Sequence, residues 1–355
     1  MIQMYIIKEI VFFWRDDMKF NEAKVNAIKT YLLEKIEQQE EGITKKVAEN
    51  FLINQATVHT YINELIGEGV IKREKRDVYR LMSEKKKYVL SRKAGEIEEE
   101  LYTFDKYMKP IISDMQENTI KIWEYAFGEM FNNVIDHSEA EKCVVIINKD
   151  AVKTSVWIAD DGIGIFEHIK DFFKLKNIED AVNELFKGKV TTKREYHSGE
   201  GIFFTSRVMD EFLIISSGKI FHVDKYDESI LLDNPIKNKK GTALYMSLTN
   251  ETKKNMKELF DKYSDVDGGF NRTSIALKNI YGSSPTSRSQ AKRLCAGLEE
   301  FSEVELDFEG LEWMGQGFAH QLFIVFANNN PKVKLVIKGM CDDVKKMYNH
   351  VMNTK

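Results

Sequence analysis

At 355 residues the chain is long enough for two or three domains, each burying its own core, and one compact unit of that size would be unusual. Hydrophobic residues at 43% and charged residues at 30% exclude a disordered chain, whose low apolar content cannot offset the entropy of ordering. A formal net charge of −4 excludes whole-molecule attraction to nucleic acid or anionic lipid, so any such contact must come from a local patch.

The opening segment MIQMYIIKEIVFFW is apolar, but it is shorter than the roughly 20 residues that span a bilayer and lacks a small-residue cleavage site. Membrane contact is not expected. The segment reads as an added strand or a misplaced start, with residues 1–17 dispensable, because Met18 opens a run whose apolar residues recur at helical spacing. Cys143, Cys295 and Cys341 are odd in number, without paired spacing or a nearby zinc-type His pattern. A reducing cytoplasm is the expected location.

From Lys24 to about Met82 the pattern predicts a helix, a short helix from Thr44, a sharp break at Leu52–Asn54, a longer helix and two short strands. Thr44 and Asn54 are expected to cap the second and third helices, since their side-chain oxygens can accept from amides left free at a helix start. Val58, Ile62, Leu65 and Ile66 form the predicted buried stripe, and Gly67 and Gly69 end the helix. The alternating VIKREKRDVYRLM then reads as a hairpin with a basic turn. This order resembles a winged helix-turn-helix, placed at 18–85. It implies DNA contact through Gln55, Thr57, His59 and Thr60 on the third helix, with Lys72, Arg73, Lys75, Arg76 and Arg80 reaching phosphates. Protein docking is the competing use, and Glu64 and Glu68 dilute the basic surface.

A lysine-rich stretch and an acidic helical run from Gly95 predict a helical linker over 86–105. From 106 to 263, helices mix with strands such as CVVIINK, TSVWIAD, FLIISS and ALYMSL, which predicts an α+β domain. A Gly268-Gly269 break precedes a small α/β domain over 266–355, in which IALKNIYG, VELDF and KLVIKG read as strands between helical segments.

Chemistry concentrates in the central part. The helix WEYAFGEMFNNVIDHS spaces Glu129, Asn133 and His137 four residues apart, so they drift slowly around one face. A carboxylate one turn before an amide suits water and a hard cation such as Mg²⁺, which takes oxygen ligands; plain surface exposure explains the pair as well. TSVWIADDGIGIF runs a buried strand into Asp160, Gly162 and Gly164. A strand-end carboxylate can accept from an adenine amino group, and residues without Cβ admit close backbone approach; alone, an Asp-Gly turn is common. Gly199 and Gly201 precede a helical run near Ile202, where free amides suit phosphate. Lys187, Lys189, Lys193 and Arg194 lie in a polar stretch suited to a mobile cover. Thr242 opens the strand ALYMSL, its hydroxyl within expected reach of adenine or of a water beside Asp160.

In this order, EMFNNVIDH, DDGIG, SGEGI and GT resemble the N box, the two glycine boxes and the later threonine motif of the GHKL ATPases, the superfamily of gyrase, heat-shock chaperone, histidine kinase and mismatch-repair ATPases. The resemblance spans roughly 106–263. It implies a GHKL (Bergerat) ATP-binding sandwich with ATP and Mg²⁺ as cofactors. Asn133 would ligate Mg²⁺, Glu129 would polarise the attacking nucleophile, and Asp160 would read adenine, with Gly162, Gly164, Gly199, Gly201 and Thr242 completing the site. No His followed by an acid lies on a dimerisation helix, as the two-component kinases require.

The final segment, through VELDFEGLEWMGQGFAHQLF, resembles STAS-like domains. Partner-switching members carry an acceptor serine where this chain has Gly315-Gln316-Gly317; Ser287, Ser289 and Ser302 are ill-placed substitutes. The expected function is therefore an Mg-ATP-binding, slowly hydrolysing cytoplasmic regulator that couples nucleotide state to DNA or a protein partner, with homodimerisation left open. The alternatives are a serine/threonine protein kinase of the anti-sigma-factor type and a non-hydrolysing ATP sensor.

Overall fold

The computed structural model describes residues 22–188, 200–224, 229–233, 240–264 and 269–353. Gly199, Lys189, Lys193, Arg194, Gly268 and residues 1–17, all singled out from the sequence, lie outside the described residues. The chain is mixed α/β with three sheets among the described residues, and it divides into two compact units, up to residue 84 with 148–153, and 85–147 with 154 onwards.

The first unit packs α1 (Glu22–Glu37), α2 (Ile43–Phe51), α3 (Gln55–Gly67) and the hairpin β1 (Ile71–Lys75) and β2 (Val78–Leu81). Ile28, Leu32 and Ile36 recur every four residues on α1 and meet Val47, Val58, Ile62, Leu65, Ile71 and Tyr79 in one core. Asn54 caps α3 as expected, its Oδ1 accepting from the Thr57 amide at 2.7 Å. Thr44 does not cap α2. Gly42 holds that position at φ 66°, a conformation open to glycine at little cost, so Thr44 falls inside the first turn. Leu52 makes the break between α2 and α3 at φ 54°.

The second unit holds a seven-stranded sheet in the order β3-β4-β5-β9-β6-β7-β8. Its strands are β3 (Glu84–Ser91), β4 (Lys142–Lys149), β5 (Lys153–Asp160), β6 (Glu211–Ser216), β7 (Lys219–Asp224), β8 (Ser229–Asp233) and β9 (Thr242–Thr249). The predicted helical linker is corrected at its start, where the lysine-rich stretch is the edge strand β3. Lysine is a common guard of sheet edges, and Lys85, Lys86 and Lys87 are exposed here. Helix α4 (100–112) passes through a π-helical stretch, Phe104–Met108, and α5 (Glu117–His137) follows. Phe104, Trp123, Phe127 and Phe131 from these helices share a core with Val145, Val156, Ile158, Phe212 and Met246 from the sheet. Helices α6 (Ile165–Phe172), α7 (Ile178–Lys187), α8 (Gly201–Val208) and α9 (Met256–Tyr263) complete this part.

The C-terminal part is a separate parallel sheet of β10 (Arg272–Ala276), β11 (Glu303–Asp307) and β12 (Lys334–Lys338), in that order. Around it lie α10 (Leu277–Tyr281), α11 (Arg288–Cys295), α12 (316–329) and α13 (Asp342–Asn353). Central strand β11 buries Val304 and Leu306 fully, as a parallel strand between helical layers does. IALKNIYG is corrected: the strand stops at Ala276 and Leu277–Tyr281 is helical, closed by Gly282 at φ 64°. No helix among the described residues is long and apolar enough to cross a membrane.

Candidate functional site

Strand alternation decides where the site lies. On β5, Thr154, Val156, Ile158 and Asp160 fall on one buried face, because side chains alternate at period two. The strand therefore delivers a carboxylate to the end of a row that is otherwise core. Its neighbours β9 and β6 pair Thr242 with Ser216 and Leu244 with Ile214. Ile158, Asp160, Thr242, Leu244 and Ile214 thus floor a cleft, and Met130, Asn133, Val134 and His137 of α5 wall it. Ile165, His168 and Ile169 of α6, Leu185 of α7 and Ile202 of α8 close the remaining sides. The cleft encloses about 740 Å³ with its open mouth included. An apolar lining around a few polar groups is what small-molecule sites share.

Asp160 is 8% exposed. Burial holds its carboxyl above the usual carboxylate range, opposed by hydrogen bonds from the Gly162 and Thr242 backbones. The Gly162 amide donates to Asp160 Oδ1 at 2.9 Å. Burial, and then the charge of Asp160, also push the Cys143 thiol up to about 12, so this cysteine is an inert core residue.

The glycines serve the protein's own backbone first. A Cβ on Gly162 would enter the Ser138 carbonyl oxygen, and one on Gly241, at φ 82°, would enter the Asp160 carbonyl. Gly164, at φ 96°, faces Ser216 Oγ. Ser138 O is itself held by the Ile163 amide at 2.8 Å and cannot withdraw. We expect Gly162→Ala to cost about 3 kcal/mol from overpacking; a denaturant midpoint equal to wild type would refute this close approach. Thr242 Oγ1 accepts from the Ile165 amide at 3.0 Å, so the hydroxyl caps α6 and keeps its own proton for donation.

Asn133 faces the cleft; Glu129 does not line it. The two lie one turn apart, about 40° around the helix. Glu129 instead borders a neighbouring concavity with Glu100, Lys121, Glu124, Tyr125, Gly128 and Asn132. Its carboxylate lies under Gly201, where a Cβ would collide with Glu129 Oε2. The Tyr125 phenol records the local field: burial first, then the charges of Glu129 and Glu200, raise its pKa. Glu129 therefore sits on the partition between cleft and concavity, with the start of α8 directly over it.

Lys187 is a correction. Expected in a mobile cover, it is 3% exposed, and its Nζ donates to Glu184 at 2.7 Å and to the Arg293 and Ala296 carbonyls at 2.9 and 2.8 Å. The helical period of α7 puts it on the face turned to the C-terminal part, which local spacing alone does not reveal. His168 was not anticipated. It stands 5.6 Å, ring to ring, from His137, both lining the cleft; the signal for it was its place on α6 one turn beyond Gly164.

On the first unit, Gln55 and Thr60 are exposed, Thr57 and His59 half-buried, and Lys72, Arg73, Lys75 and Arg76 exposed on the hairpin. The Thr57 hydroxyl donates to Asn54 Oδ1 and that of Thr60 to Ala56 O, at 2.9 and 3.1 Å. Arg73 lies over the Tyr79 ring at 5.5 Å, and Arg80 pairs with Glu74 at 2.9 Å.

Residues 290–345 match the model of a family described as a STAS-like domain of unknown function (DUF4325). The C-terminal part is thus a STAS-like domain, as the VELDF to GFAHQLF segment led us to expect. No curated protein matches the chain.

Proposed function

We propose that the seven-stranded sheet and its helices form a GHKL-type Mg-ATP site, and that its occupancy switches a regulator whose first unit is a DNA- or partner-binding winged helix. One observation carries this reading: the buried Asp160 carboxylate and the Asn133 amide, 27 positions apart in sequence, line a single apolar cleft between sheet and helices. The carboxylate suits an adenine amino group. Thr242 keeps a hydroxyl proton for the same edge. Mg²⁺ takes one or two protein ligands and completes its shell from water and substrate phosphates, and Asn133 would be the protein ligand here. Bound Mg-ATP supplies the phosphoryl group and the charge that make occupancy a signal. The chain's own part is to read the base at Asp160, seat the cation at Asn133 and orient a nucleophile at Glu129.

Within this reading the STAS-like domain is a docking element rather than a phosphate acceptor. Gly315 caps α12 without a hydroxyl, and a Cβ there would enter the Thr286 carbonyl. Ser287 is committed to a capping box on α11, and Ser302 donates to Asn271 O at 3.2 Å. A protein kinase acting on a separate partner is the second reading, favoured by the opening of Glu129 towards its own concavity, where an acceptor hydroxyl can approach. Incubation with γ-labelled ATP separates these: label on a partner marks the kinase, free phosphate the ATPase, and retained binding with neither marks a sensor.

The DNA branch has its own test. The combined substitution Arg73→Ala, Lys75→Ala and Arg76→Ala removes three exposed hairpin cations; if they contact phosphates, the slope of log K against log salt falls by about 3. A gel shift that survives unchanged takes the hairpin out of the interface.

A further inference from the structure

Two of the helices that close the cleft, α7 and α8, also dock on the STAS-like domain. On α7, Leu185 lines the cleft, and two residues on, Lys187 crosses into the C-terminal domain to bond the Arg293 and Ala296 carbonyls. These are end-of-helix carbonyls of α11, the negative pole of its dipole, so Lys187 acts as a helix cap supplied by another domain. The contact is returned: Thr273 Oγ1 on β10, itself 2% exposed, donates to Lys187 O at 2.8 Å, and Arg293 pairs with Asp180 at 3.2 Å. On α8, Ile202 lines the cleft while Phe203 beside it packs on Phe270, with centroids 4.7 Å apart. Arg207 lies 3.5 Å over the Phe203 ring and donates to Ser274 O on β10 at 3.2 Å.

On each wall, the residue facing the cleft and the residue facing the STAS-like domain are less than one helical turn apart. A helix is stiff over that distance, so neither face can shift alone. We infer that Lys187 is a positioning residue through which the docked STAS-like domain sets the spacing of α7 and α8, and so the affinity of the cleft for its nucleotide. This rests on the Mg-ATP reading above. Docking holds the binding-competent spacing, and loosening it lowers apparent affinity by the fraction of molecules that lose that spacing. By reciprocity, a bound nucleotide tightens docking by the same factor.

The test uses the full chain, a non-hydrolysable ATP analogue with Mg²⁺, calorimetry and amide hydrogen exchange. In wild type, saturating analogue slows exchange in 270–276 and 288–298. Lys187→Met keeps the apolar stem and removes the three donors; it weakens analogue binding about 5-fold or more and abolishes the nucleotide dependence of exchange. Thr273→Val, a near-isosteric loss of one bond, moves both readouts in the same direction by less, and serves if Lys187→Met does not fold. Wild-type binding without any change of exchange in those two segments overturns the coupling, as does unaltered affinity in a folded Lys187→Met. Absence of binding by wild type overturns the nucleotide reading itself, and the coupling with it.

Discussion

Asp160→Asn is expected to lower affinity for ATP by about 10- to 100-fold, the worth of a hydrogen bond to a charged group in a dry site. Wild type should bind ATP with Mg²⁺ in a calorimetric titration, and the variant should keep its fold. Asn offers the same Oδ1 to the Gly162 amide, now 2.9 Å away, so the turn at the end of β5 survives. Stability supplies a second readout with a definite sign. The Asp160 carboxyl is raised by burial, so the folded chain holds this proton more tightly than the unfolded chain. Its contribution to stability is therefore present in acid and lost as pH rises from the unfolded value through the folded one. Above the unfolded value the buried carboxyl is a net cost, and Asp160→Asn should melt no lower than wild type. A variant that binds ATP like wild type would remove Asp160 from base recognition; one that unfolds would show the carboxylate to be structural.

The second large effect is on turnover. Glu129→Ala should cut ATP hydrolysis or phosphoryl transfer by a factor on the order of 100 or more, the usual cost of losing a general base, while ATP binding persists. Persistence follows from geometry, because Glu129 borders the concavity beside the cleft rather than the cleft itself. Single-turnover measurements with labelled ATP check the rate, and a parallel titration checks the binding. Unchanged turnover would remove Glu129 from the chemistry.

The two experiments lean on sequence and structure differently. Asp160 was legible because it closes a period-two row, Thr154, Val156, Ile158, that needs no tertiary information to read. Asn133 was legible through its spacing from Glu129 on one helix. Their meeting in a single cleft was inferred only from the joint order of four motifs. What the glycines are for was not legible. Gly162 reads as a place for a ligand to approach, yet the space beside it is taken by the Ser138 carbonyl, supplied by a different segment of chain. Lys187 misled for a related reason: in a polar stretch a lysine reads as solvated, and only the arrival of α11 gives it two carbonyls to bond.

By itself the sequence determined whatever depends on local period and local chemistry. The α1 core stripe, the Asn54 cap and the strands TSVWIAD and ALYMSL follow from neighbours within a few residues, and the STAS-like character of the C-terminal segment from its resemblance to a known family. The tertiary structure decided what depends on distant backbone. It made the lysine-rich stretch an edge strand, turned Thr242 into the cap of α6, and divided Glu129 from Asn133 between two concavities. It also joined the cleft walls to the STAS-like domain through α7 and α8. A helix has several faces, and periodicity reports that each exists; which one lines the cleft and which meets another domain is set by contacts between distant segments, as with Thr273 and Lys187 at a separation of 86.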